Sequence, residues 1–334
     1  MNDAILREHY QNRGQDGASA DSAVAAVAEL ETWLLSRGVF LEAVCAGIIR
    51  VYLDQLINDN RNTPETLLAL ERYFYLINNH GAYLYMARLL GGIGVFGSIA
   101  DRLSKLEGSA FANSALSGIQ QPAAGQEPAA FPVMTEALVN RLKQRLPEPT
   151  VQRVLAGNHH QIPASAFEQE KRFYQAASSL DDYLRKKHTR KVAELQHHCD
   201  TGTVWFEQEI TQPVVDYVAA NQEILSAVRD GDTLYHTKIP YDPARYLKES
   251  SPERKRYYAC HCPLVREAIL QGQTNVSPTW CYCSGGFAKY PYEVLFGREL
   301  RVTLLQSVLK GDAVCRFAIH LDDAPEERTD RNVQ

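Results

Sequence analysis

The 334 residues carry a formal net charge of −5, with 45% hydrophobic and 22% charged side chains and 7 cysteines. A chain of this size and balance buries a full core and most economically holds two domains, while its mild acidity gives no electrostatic reason to expect nucleic acid or an anionic membrane as partner. Residues 1–5 lack a basic stretch before an apolar core, and the longest apolar run, near residues 89–99, falls short of the roughly 20 residues of a bilayer span. A cytoplasmic protein with reduced or metal-bound cysteines is therefore expected.

From residue 22 to about 106 the texture is helical. Val24, Val27, Leu30, Trp33 and Leu34 recur at three- and four-residue steps, and Val44, Ile48, Val51, Tyr52 and Leu56 continue the pattern. Asn62-Thr63-Pro64-Glu65 places a capping threonine before a proline and an acidic residue, so a new helix is predicted to start there, with Leu67, Leu68, Leu70, Tyr73 and Leu76 inward. The glycine-rich run 89–97 lacks the spacing of a phosphate loop and reads as a bend or a close helix contact. These residues predict a helical domain over 1–117, able to serve as a homodimer surface, then a Pro/Gly/Ala/Gln-rich linker at 118–132.

Helices are predicted over 133–145, 166–187 and 212–227. From residue 232 short β-prone runs take over, at 233–239, 257–262, 301–309 and 314–321, with Lys310-Gly311-Asp312-Ala313 turning the last two into a hairpin. The predicted fold class is α+β: an N-terminal helical bundle followed by a domain at 133–322 with an antiparallel sheet flanked by helices. A mobile acidic tail is predicted over 323–334.

The chemistry concentrates at two Cys-x-Cys pairs, Cys260-His261-Cys262 and Cys281-Tyr282-Cys283. On extended backbone each pair would turn both sulfurs to one face and the middle residue away. Four thiols meet the ligand count of a closed zinc site, yet Cys-x-Cys spacing is unusual for one; thiol catalysis and plain apolar packing stay open beside it. Catalysis would draw on Cys262, Cys281, His261, Arg266 and Glu267. A pocket for a small partly polar ligand would draw on His236, Lys238, Tyr258, Trp280 and Tyr282. His159-His160 and His197-His198-Cys199-Asp200 read first as a capped turn and a helix end, Asp312 as a turn residue, and Glu293 as a helix-start carboxylate.

Three stretches in order, CHCPLVREAI, SPTWCYCSGGF and SVLKGDAVCRFAI, resemble the C-terminal pattern shared by 4-vinyl reductase domains and the L-2-amino-thiazoline-4-carboxylic acid hydrolase family. The resemblance covers roughly residues 256–321, and Cys262-Pro263 is more like the hydrolase side. It implies a hydrolase-like enzyme acting on a small heterocyclic or amidine-type substrate, or else a sensor-like binding module with structural zinc. It also implies a zinc held at positions matched here by Cys281 and Cys315. The two strand positions between them carry Leu304 and Ser307, so that ligand set departs from the pattern; Cys283, Cys260 or Cys262 would have to substitute.

Overall fold

The computed structural model describes residues 1–271 and 275–322, so the tail expected at 323–334 lies outside the described residues. The N-terminal helices are α1 (Asp3–Asn12), α2 (Gly17–Leu35), α3 (Ala46–Asn58), α4 (Pro64–Leu76) and α5 (His80–Leu90). Thr63 caps α4 by accepting the Thr66 backbone N–H, with Pro64 at the first helical position, as the sequence predicts. Leu67, Leu70 and Tyr73 point inward, whereas Leu68 and Leu76 are only partly covered. In α3 the buried stripe is Ile49, Tyr52, Leu53 and Leu56, and Val51 is 56% exposed. Val44, just before the helix, and Tyr52 and Leu56 are buried as expected, while Ile48 is only partly covered and Ile49 and Leu53 take inward places.

The next helices are α6 (Val95–Glu107), α7 (Ser109–Leu116), α8 (Phe131–Arg145) and α9 (Glu148–Leu155). One core gathers residues from Leu6 to Leu89; a second begins at Val95 and continues through α6–α9 into the C-terminal third. The run His80–Glu107 is long and apolar enough by composition to cross a membrane, but it is broken by the turn at Gly91–Gly94, and its inward side chains Val95, Phe96, Ile99 and Leu103 belong to this second core. The irregular segment before α8 lies against the first helices: Arg50 Nη1 donates to Gly125 O at 2.7 Å and Asn62 Nδ2 to Ala124 O at 2.9 Å.

Beyond α9 come α10 (Glu168–Gln175), α11 (Leu180–Thr201), α12 (Gln212–Ala219), α13 (Pro243–Lys248), α14 (Pro252–Ala259), α15 (Ala268–Gln271) and α16 (Tyr282–Phe296). The single helix expected over 166–187 is thus two, because Ser179 caps a new one by accepting the Asp182 N–H. The helix expected over 212–227 ends at Ala219. Of the strand expected over 257–262, residues 257–259 are instead the last turn of α14, started by the Ser251 cap and Pro252, and 260–262 follow it as irregular backbone.

Strands β1 (Val204–Trp205) and β2 (Gln208–Glu209) form a small hairpin. Strands β3 (Val228–Asp230), β4 (Thr233–Thr237), β5 (Arg301–Gln306) and β6 (Arg316–His320) make an antiparallel sheet in the order β3-β4-β6-β5. The predicted hairpin is β5–β6, with Leu304 opposite Phe317 and a register shift before Gln306. The α+β class and the helical N-terminal region are as expected.

Candidate functional site

The cavity that Cys260, Cys262 and Cys281 line lies where helical turns meet the ends of the central strands β4 and β6, beside Lys238 and Cys315. Cys260 ends α14, and Tyr241 N and Asp242 N bond to Ala259 O and Tyr258 O, which lays the segment after β4 beside it. The Cys262 carbonyl accepts from Val265 N at 3.3 Å and Arg266 N at 2.9 Å, so Cys262 caps a helical turn that Pro263 opens. Cys281 closes a 3₁₀ turn, Pro278–Cys281, and Cys283 lies inside α16. The extended arrangement expected for both pairs fails for the second, which is helical; in the first, Cys260 is extended and both sulfurs face one cavity, but His261 lines it too instead of turning away. In the second pair, helical backbone turns residues i and i+2 about 200° apart, and Cys283 is buried away from its partner's cavity.

Cys260, Cys262, Cys281 and Cys315 line one cavity of about 10 Å³, room for a single water-sized group. Lys238 reaches it from just beyond β4, its backbone N bonded to Cys315 O at 2.9 Å. Lys238 Nζ stands 3.3 Å from Ser284 Oγ and 4.9 Å from the Phe287 ring centroid. Trp280 Nε1 donates to Cys262 Sγ at 3.3 Å, and Ser307 Oγ donates to Cys281 Sγ at 3.0 Å. His261 also lines the cavity; its Nε2 lies 2.5 Å from Ile239 O and so carries the proton, leaving Nδ1 as acceptor. From Lys238 the contacts lead outward: the Phe287 ring, 39% exposed, meets the His160 ring edge-on at 5.6 Å, and His160 is exposed.

Two glycines bring this helix in. A Cβ on Gly286 would fall 2.3 Å from Gly157 O, and one on Gly285 would stand 3.2 Å from Val302 Cγ1, so α16 lies directly on the 156–157 backbone and on the sheet. From the other side, a Cβ on Gly92 would meet Leu264 Cδ2 at 2.7 Å. The glycine run is a close packing contact, as its sequence suggested, and it presses on the turn that Cys262 caps.

Burial pushes all four cavity thiols above their ordinary range, and Cys283 with them. Neighbouring sulfurs add to the rise at Cys260 and Cys281. Cys262 differs: against its burial stand the Trp280 N–H, the Leu264 backbone N–H and the charges of Lys238 and Arg266, all of which favour the thiolate. It is also the half-buried member of the set. Burial, then Lys238, holds His261 well below the usual imidazole range, so it is neutral at pH 7. Crowding by protein and the Lys238 charge hold His160 down at about 4, although part of the ring stays open to solvent.

The other nominated residues stand outside the lining. Glu267 accepts from Arg88 Nη2 at 2.8 Å and Tyr257 Oη at 3.0 Å, an anchor for the Cys262 turn. Arg266, 3% exposed, lies 4.2 Å over the Tyr241 ring. Tyr258 meets Tyr257 edge-on and lies under Arg245, Tyr282 bonds the Leu304 backbone, and His236 Nδ1 bonds Ser226 O at 2.7 Å. His159 is fixed between Ser98 Oγ and Val154 O, and His198 bonds Thr203 Oγ1 at the end of α11. Asp312 accepts the Ser307 N–H as a turn residue, and Glu293 is taken by Lys289 and the Leu300 N–H. Ser284 was not singled out from the sequence, and Ser307, which follows β5, entered only as a departure from the zinc pattern; small hydroxyls beside glycine or at a strand end carry no signal of their own.

Four sulfurs around an atom-sized space match zinc in donor type. Against this, the Lys238 cation shares the lining, and among the described residues no group of three or more His, Cys, Asp or Glu is placed to hold an ion.

A family of unknown function, DUF6144, matches residues 133–325, which contain the whole cavity lining. No curated protein and no solved structure matches the chain.

Proposed function

This chain belongs to the DUF6144 family, and we propose that it is a hydrolase-like enzyme acting on a small heterocyclic or amidine-type substrate, with Cys262 as nucleophile. The observation that carries the reading is the position of Cys262: a helix-capping thiol in a cavity wall, supplied with an indole N–H, a backbone N–H and a lysine charge. A thiol held neutral by burial needs a base before it can attack, and the neutral His261 ring on the same cavity keeps Nδ1 for that proton. Attack at a ring C=N carbon forms the C–S bond and moves the π pair onto nitrogen. The nitrogen pair then re-forms C=N as the bond from that carbon to the other ring heteroatom breaks, the departing atom takes the proton from His261, and water adds to the carbon and displaces the sulfur, which regains a proton. Lys238 faces the negative charge that develops. With room for only a water-sized group inside, the body of the substrate lies toward Phe287 and His160, the open side of the site.

The test is turnover of a panel of 2-aminothiazolines and related cyclic amidines. We expect activity lost in Cys262→Ser and retained in Cys283→Ser, whose sulfur is outside the cavity; turnover that survives Cys262→Ser ends this reading.

A second reading, a non-catalytic small-molecule-binding module with structural zinc, is supported by the convergence of four sulfurs on one small space. Metal analysis of protein purified without added zinc separates the two. Stoichiometric zinc that disappears in Cys260→Ser and Cys281→Ser favours the module; metal-free protein favours the thiol enzyme.

A further inference from the structure

The cavity thiols are all free, and they come from three segments. Cys260 and Cys262 belong to the turn after α14, Cys281 to the 3₁₀ turn before α16, and Cys315 immediately precedes β6. Every pair among them interacts electrostatically, so the sulfurs surround the water-sized space closely. Two of them share the same support. Lys238 N donates to Cys315 O at 2.9 Å, its side chain lines the cavity, and its charge acts on both Cys262 and Cys315. Each of these two sulfurs also accepts an N–H, Cys262 from the Trp280 indole at 3.3 Å and Cys315 from the Val308 backbone. Cys260 instead turns its S–H to the Cys262 carbonyl at 3.9 Å, and Cys281 accepts the Ser307 hydroxyl.

Thiols packed only as small apolar groups have no use for a lysine among them, whereas a pair that passes through an anionic sulfur does. Among the described residues the lining holds Lys238 and no carboxylate, so nothing there repels such an anion. The size of the space selects the reactant. With about 10 Å³ it admits one water-sized group, which suits the reacting oxygen of hydrogen peroxide and excludes the body of a larger oxidant. Cys262, half-buried, is the thiol through which that reactant is met first.

We propose that Cys262 and Cys315 are a peroxide-sensitive thiol pair: hydrogen peroxide oxidises Cys262 to the sulfenic acid, and Cys315 closes a disulfide on it. His261 Nδ1 takes the Cys262 proton and the sulfur attacks one peroxide oxygen. An S–O bond forms, the O–O bond breaks, and the departing oxygen takes the proton from His261 and leaves as water. The Cys315 sulfur then attacks the Cys262 sulfur, the S–O bond breaks, and the hydroxyl leaves as water with the Cys315 proton. Both sulfurs are oxidised and the peroxide is reduced to water. The bridge ties the turn after α14 to the sheet and occupies Cys262, but it stands on the placement of the thiols and not on the hydrolase reading.

The test treats the folded full-length protein with hydrogen peroxide, blocks the remaining thiols with N-ethylmaleimide and maps disulfides by tandem mass spectrometry without reduction. A bridge between Cys262 and Cys315 is expected, reversed by dithiothreitol, with exposed Cys45 outside it. In urea its yield should fall at least about fivefold, because the loop between the two must then be closed against chain entropy. In Cys315→Ser the sulfenic acid has lost its partner, and dimedone capture at Cys262 should rise at least about fivefold. A folded wild-type chain that is oxidised at Cys45 without forming this bridge, or that pairs Cys262 mainly with another thiol, overturns the proposal whether or not any variant folds. Unchanged dimedone capture in a folded Cys315→Ser protein overturns it as well. A bridge that maps in a protein with no turnover of any cyclic amidine supports this pair and counts against the hydrolase reading alone.

Discussion

Trp280 Nε1 donates to Cys262 Sγ at 3.3 Å, and this joins the two cysteine motifs more directly than any contact between their sulfurs that the structure displays. The indole is 1% exposed and held edge-on by Phe96, so the donor is fixed in place. Trp280→Phe keeps an aromatic ring in the site and removes the N–H donor together with part of the indole. The Cys262 thiol should then titrate higher still, and its alkylation by iodoacetamide at pH 8 should slow about threefold to tenfold. Peptide-mapped labelling rates check this, with exposed Cys45 as internal reference.

Gly286→Ala should destabilise the fold by about 2–3 kcal/mol, because the added methyl runs into the Gly157 carbonyl and α16 must lift off its support. Gly17→Ala, at a helix start with nothing within 4 Å, should leave stability unchanged or slightly raised. Urea unfolding of both variants gives the comparison.

Glu71 on α4 is pushed up to about 7, first by burial and then by the charge of Glu207. Its folded value lies above the unfolded one, so its favourable contribution is fully present below about 4.5 and is lost as pH rises through 7. Discounted for partial solvent screening, the loss amounts to about 1–2 kcal/mol. Glu71→Gln should therefore be more stable than wild type at pH 8 by that amount and indistinguishable from it at pH 4, as measured by urea midpoints at both values.

Glu223 slopes the other way. Arg316 donates to it through Nε and Nη2, both at 2.7 Å, and Thr237 Oγ1 adds a third bond, which together hold its carboxyl below the ordinary range. That stabilisation is present above the unfolded pKa and is lost as pH falls through the lower folded value. Glu223→Gln should cost about 1–3 kcal/mol at pH 7 and little at pH 3, again by urea unfolding.

Much of the fold could be read from residue order, since its signals are local. Thr63-Pro64 starts a helix by a contact three residues away, and the β5–β6 hairpin needs only a turn between two alternating runs. The misreadings came where a local signal was ambiguous. The stretch 257–262 is aromatic and β-prone, but the Ser251 cap and Pro252 had already committed its first half to α14. Of the nominated site residues, Cys260, His261, Cys262, Trp280, Cys281, Cys315 and Lys238 share one cavity. Cys283, Arg266, Glu267, His236, Tyr258 and Tyr282 had the right chemistry but point elsewhere, because helical phase and strand register, not residue type, decide direction.

Taken by itself, the order of residues determined the helical start, the α+β close and the density of thiols around residues 260–283, because caps, periodicity and composition act over a few residues. Which sulfurs meet was decided only in three dimensions. Cys315 joins Cys281 across segments far apart in sequence, Ser307 supplies a hydrogen bond no motif announces, and Gly285-Gly286 sets how near α16 can come. Those are matters of packing distance and burial: burial holds the thiols neutral, and the Trp280 N–H and the Lys238 charge set Cys262 apart from the others.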